Sequence, residues 1–150
     1  MKLNDKLVGE FLGLVYIPWN DLQGYVTPGW WLPKESVHPA IYKKAQAYKG
    51  RTLPMSNWSN LMQVVEKIEN LDCSKFSYSW EGHDGETEYN FTYPEVEICG
   101  KTCWIYFDLQ LDPTSTITDI KGDSKFDACY KAVIEFIKWY NERSVQESQT

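Results

Sequence analysis

The stretch EVEICGKTCWIYFDLQL, residues 95–111, alternates apolar and polar side chains on both sides of Gly100-Lys101. Reversing the chain at that pair as a two-residue hairpin turn sets Ile98 opposite Cys103 and Val96 opposite Ile105. Those four then share a face with Phe107 and Leu109, while the glutamates, Asp108, Trp104 and Tyr106 take the other. A one-residue slip would exchange the faces, so the register is a definite claim: Ile105 inside the main core, Trp104 outside it.

The same period of two extends upstream. FSYSWE (76–81) places Phe76, Tyr78 and Trp80 on one side, and TEYNFTY (87–93) does the same with Thr87, Tyr89, Phe91 and Tyr93. The turn GHDG (82–85) between them predicts a second hairpin. Helical periodicity brackets this pair. WSNLMQVVEKIENL (58–71) follows a capping Ser56 or Asn57 and carries Trp58, Leu61, Met62, Val65 and Ile68 as one apolar stripe. The long C-terminal run, residues 125–143, opens with Ser124 and Asp127 in capping-box spacing. Its stripe is Phe126, Cys129, Val133, Phe136, Ile137 and Tyr140. The reading is an α+β fold: a four-stranded or larger antiparallel sheet of two hairpins, packed by the central and C-terminal helices. Residues 112–124 (DPTSTITDIKGDS) read as a loop and residues 144–150 as a frayed tail.

Ahead of this core (56–143) lies an aromatic-rich segment, 1–55. Asn4 and Gly13 delimit a helix over 5–12, LVYIP (14–18) reads as a short strand, and Pro39 opens a helix over 38–50. Residues 19–35 read as irregular, with a Pro28-Gly29 turn. One domain of 150 residues is expected, with no linker dividing it.

Composition bounds the function. Apolar residues make up 43% and charged residues 24%, as in ordinary globular proteins, but aromatics reach 15%. A net charge of −6 without a basic run disfavours generic nucleic-acid binding. Asp5, Lys6 and Glu10 interrupt the first apolar stretch, so no signal peptide is expected, and no stretch is apolar enough to cross a membrane. A cytoplasmic protein is implied, with Cys73, Cys99, Cys103 and Cys129 as free thiols.

Motifs for catalysis are weak. CGKTC (99–103) ends like a phosphate-binding loop, but Glu95 stands where the first glycine is needed and the context is a hairpin. Cys99 and Cys103 fall on opposite hairpin faces and lack zinc spacing. Cys129 reads as core, and GHDGETE around His83 as a solvated turn. No enzyme, cofactor or metal is expected. The candidate ligand-binding residues are instead Tyr25, Trp30, Trp31, Lys34 and Arg51, where indoles could stack on a planar group and cations could hold an anion. The competing reading is a lid over Trp104 and Tyr106.

The helices NWSNLMQVVEKIENL and FDACYKAVIEFIKWYNE, with KLVGEFLG and TPGWW, resemble small uncharacterised proteins of bacteriophages and mobile elements in Bacteroidetes-type hosts. The chain is also similar to the phage αβα-sandwich domain group, which implies helices on both sheet faces. The resemblance lends no catalytic residue. It supplies a phage context. With the aromatic loop and its cations as the ligand surface, the reading is a phage accessory protein acting in counter-defence by sequestering a small nucleotide-type signal in the host cytoplasm, the surplus aromatics being suited to a homo-oligomer interface. The alternative is an inhibitor or adaptor that binds a host protein through its aromatic surface, and more distantly a small enzyme acting on nucleotides.

Overall fold

The computed structural model describes residues 2–17, 30–48, 57–108 and 116–148, the side chains of residues 2–4, Trp30, Trp80 and residues 147–148 excepted. The chain forms two compact units, residues 1–60 and 61–150.

In the first unit, α1 (Lys2–Phe11) ends at Gly13, whose N–H donates to the Glu10 carbonyl at 3.0 Å. The chain then enters β1 (Leu14–Ile17), which pairs antiparallel with β2 (Trp30–Pro33). Residues 30–33 fall in the stretch read as irregular. They form a strand because a two-stranded ribbon leaves each partner an open edge, and Pro33 sits at the ladder's end. Beyond it the Lys34 N–H closes on the Gly13 carbonyl at 2.9 Å. A 3-10 turn, Lys34–Ser36, leads to α2 (Pro39–Ala47). His38 caps α2 by accepting the Ala40 N–H on Nδ1 at 3.1 Å, and Pro39 takes the first position as expected. The helix ends at Ala47, short of Gly50. Val15, Ile17, Val37 and Ala45 form this unit's core, with Leu32, Ile41 and Tyr42 packed against it.

The second unit holds the two hairpins. β3 (Ser77–Gly82) pairs with β4 (Gly85–Asn90), and β5 (Pro94–Cys99) with β6 (Thr102–Phe107). The register of the second is the expected one: Ile98 opposes Cys103, Val96 opposes Ile105, and Cys103, Ile105 and Phe107 are buried. Trp104 and Tyr106 are half-buried on the other face. Gly100 takes φ +58° at the first central turn position while Lys101 does not, the pattern of a II′ turn. The first hairpin matches too, with Tyr78 opposite Tyr89 and Trp80 opposite Thr87.

The α+β class, the two hairpins and the long C-terminal helix are therefore as read, but the four strands do not join into one ladder. β3–β4 stands as its own pair, and β5–β6 is extended on the other side by β7 (Thr116–Lys121). Residues 116–121 lie in the stretch read as loop. The run TITDIK has the β-branched alternation of a strand, which its Asp, Thr and Lys masked. Thr118 is buried opposite Ile105, and a register shift between Ile105 and Tyr106 adds Ile117 as an extra residue, a β-bulge.

α3 (Trp58–Glu69) is capped by Asn57, whose Oδ1 accepts the Asn60 N–H at 2.8 Å. Its buried residues are Leu61, Val64, Val65 and Ile68. Trp58 and Met62, expected in the stripe, are 42% and 37% exposed. The i, i+3, i+7 set Leu61, Val64 and Ile68 makes an equally regular stripe rotated toward Val64, and packing selected it.

α4 (Lys125–Ser148) runs five residues past Arg143, so most of the expected tail is helix. One bond of its capping box is formed, Ser124 Oγ accepting the Asp127 N–H at 3.0 Å, while Asp127 Oδ2 reaches one residue further back and accepts the Asp123 N–H at 2.9 Å. α4 lies against β5, β6 and β7. Ala128, Cys129, Ala132, Val133, Phe136 and Ile137 are wholly buried on it. The first hairpin is fastened to the same helix. Phe76 meets Trp139 and Tyr140 edge-on, and the Arg143 guanidinium lies over Phe91 and Trp139 while donating to the Ser77 carbonyl at 3.3 Å.

Candidate functional site

A cavity of about 420 Å³ opens in the first unit. It is built around the β1–β2 ribbon, one edge supplied by α1 and another by α2. Alternation divides the ribbon: Val15 and Ile17 go into the core, and Tyr16 lies with Trp31 on the opposite side, their rings 5.3 Å apart.

Trp31 is held against α1 by a backbone accommodation. A Cβ at Gly9 would lie 2.1 Å from the Trp31 ring, so only glycine admits the indole there. Trp31 is half-buried by this contact and also lines the cavity. α1 adds Lys6 and Glu10, four residues apart and 3.9 Å from each other at their charged ends. Around the ribbon's far end come Lys34, Glu35, Tyr42, Gln46 and Tyr48. Lys34 Nζ sits 5.0 Å from the centre of the Tyr42 ring, and the Tyr42 hydroxyl accepts from Gln46 Nε2 at 2.7 Å. A cation over a ring face is attracted by the ring's quadrupole, so the Tyr42 ring helps to position the ammonium.

Of the five residues read as binding candidates, the structure brings Trp31 and Lys34 to this cavity. Trp30 is described in its backbone alone, paired with Ile17 in the ladder. Tyr25 and Arg51 lie outside the described residues. The reading missed Tyr16, Tyr42 and Tyr48, together with Lys6 and Glu10. Tyr42 and Gln46 do repeat at helical spacing, as do Lys6 and Glu10. Only the packing of two helices on one ribbon brings these pairs together.

The cavity offers aromatic walls with two ammonium groups, Lys6 and Lys34, and two carboxylates, Glu10 and Glu35, so Lys34 is the cation best placed for an anionic part of a planar ligand. Among the described residues no three His, Cys, Asp or Glu side chains converge as metal ligands. No helix among them is long and apolar enough to cross a membrane. Comparison with protein-family models, curated proteins and solved structures finds no match for this chain.

The thiols are otherwise disposed. Cys99 is exposed, whereas Cys73, Cys103 and Cys129 are buried. Burial, with the nearby Asp72 carboxylate, pushes the Cys73 thiol up to about 11. The neighbouring Cys103 thiol on β6, together with burial, raises the Cys129 thiol on α4, so it is held neutral.

Proposed function

We propose that this protein is a non-enzymatic binding protein whose cavity sequesters a small ligand of nucleotide type. The observation that carries the reading is one enclosure that combines Tyr16, Trp31, Tyr42 and Tyr48 with the ammonium groups of Lys6 and Lys34. A planar base stacks on such rings, and a phosphate accepts from the lysines. A volume of about 420 Å³ is at the scale of small-ligand sites. Trp31 is pre-positioned by Gly9, so little ordering entropy is lost on binding. A phage accessory protein acting in counter-defence, as the resemblance implies, would use such a site to lower the free concentration of a signal.

Equilibrium dialysis against cyclic and linear nucleotides tests the reading, with the ligand assayed again after heat denaturation of the protein. Depletion followed by release of intact ligand is expected. Release of an altered ligand would make the protein an enzyme. No depletion across the nucleotide set would remove the sequestration reading.

A further inference from the structure

The face of the β5–β6–β7 sheet turned away from α4 does not take part in the cavity, and it sets aromatic side chains among carboxylates. In the ladder Trp104 stands between Glu97 and Asp119, and Tyr106 stands opposite Glu95. With adjacent strands about 4.8 Å apart, Glu97 and Asp119 are the nearest cross-strand neighbours of Trp104 on this face. Asp108 follows at the end of β6, and Lys121 is the one cation in the same set of rows. Glu95, Glu97, Asp108 and Asp119 are exposed, whereas Trp104 and Tyr106 are half-buried between them. Glu95, the ladder partner of Tyr106, raises the phenol above its ordinary value, with burial, Glu97 and Asp108 adding to the shift. The ion pairs formed among the described residues, Lys6–Glu10, Lys131–Asp127 and Lys138–Glu135, leave these carboxylates aside.

We propose that this sheet face is a docking surface for a basic protein segment, with an arginine or lysine seated on the Trp104 indole between Glu97 and Asp119. Charge complementarity selects the occupant. Four carboxylates against one ammonium repel an anionic or purely apolar partner, and they attract a cation that the aromatic rows then bind by its planar face. A guanidinium fits both demands, because it stacks on an indole while donating in its own plane to flanking carboxylates. Tryptophan at the centre of a patch with polar surroundings is the usual anchor of such interfaces. The surface belongs to the second unit and does not depend on the cavity's ligand.

The test is fluorescence anisotropy with a short labelled peptide of alternating arginine and serine. Glu97→Gln/Asp119→Asn is expected to weaken binding by about tenfold, and Trp104→Leu by several-fold. The charge-matched control Glu81→Gln/Glu86→Gln, on the exposed β3–β4 hairpin, is expected to change it by less than about twofold. Equal losses in the two double variants would reduce the effect to net charge and overturn the proposal, as would failure of the peptide to bind. Sedimentation supplies a further check. A dimer that dissociates in Trp104→Leu and is not displaced by the peptide would make the face a self-interface. A melting temperature lowered by Trp104→Leu, with peptide binding unaffected by Glu97→Gln/Asp119→Asn, would place the indole inside the fold. Either result overturns the basic partner.

Discussion

Trp139 in the second unit and Trp31 in the first are the same side chain in opposite employment. Trp139 has Phe76, Phe91, Phe107 and Phe136 around it, with ring centres at 5.5–5.9 Å, and the Arg143 guanidinium on its face. Trp31 lies against Tyr16 and against a glycine cut away to admit it, and it borders open volume. Aromatic area enclosed by other rings contributes to stability, whereas aromatic area beside a cavity is left for something else to bury. The high aromatic content therefore reflects two uses, and neither alone explains it.

The largest effect that can break this comparison lies in the aromatic cluster. Phe107→Ala, at a fully buried position against Phe91 and Trp139, should destabilise the protein by about 3–5 kcal/mol in urea unfolding. It should leave ligand affinity unchanged under conditions where the chain is folded. A parallel loss of affinity would mean that the units are energetically one.

Gly9→Ala comes next, because the new methyl must displace the Trp31 ring. An overpacking cost of about 1–3 kcal/mol is expected, with a larger fractional loss of nucleotide binding than of stability. Unchanged binding would show that the indole does not face the ligand.

A smaller effect probes α4 alone. Ser124→Ala removes the cap on the Asp127 N–H and should cost about 0.5–2 kcal/mol. Asp127 adds a pH signature. Its carboxyl is lowered by the Lys131 ammonium and then by the Asp123 N–H. A depressed folded-state value contributes stability above the unfolded-state value, about 3.9, and that contribution is lost as pH falls through the folded value. Wild type should therefore exceed Asp127→Asn in urea midpoint near neutral pH, and the two should converge in acid. A gap that persists in acid would assign the difference to the side-chain geometry and not to the charge.

The smallest stability effect is expected at Lys34→Met. The cation–π contact with Tyr42 is exposed, so its loss should cost at most about 1 kcal/mol. Affinity for an anionic ligand should nevertheless fall clearly and become less sensitive to salt. A melting temperature that falls as far as for Phe107→Ala would assign Lys34 to the fold.

Much of the second unit was legible because its information is local. The II′ turn at Gly100, the two-residue period on either side of it and the Ser124 cap each act within a few residues. The turn and the period together give the register that buries Ile105 and leaves Trp104 outside, and the cap sets the start of α4. In the first unit the helix stop at Gly13 and the start at Pro39 were equally readable. Tertiary packing decided what local pattern leaves degenerate. It rotated α3 so that Val64 is buried and Trp58 is not. It kept β3–β4 and β5–β6 in separate ladders, and it recruited residues 116–121 to the open edge of β6, where a free row of backbone groups needs a partner. The cavity is the extreme case. Lys6, Tyr16, Trp31, Lys34 and Tyr42 belong to separate elements, and no period in the chain relates them. Their meeting follows from two helices packing on one short ribbon, with Gly9 as the small residue that lets an indole close against a helix backbone.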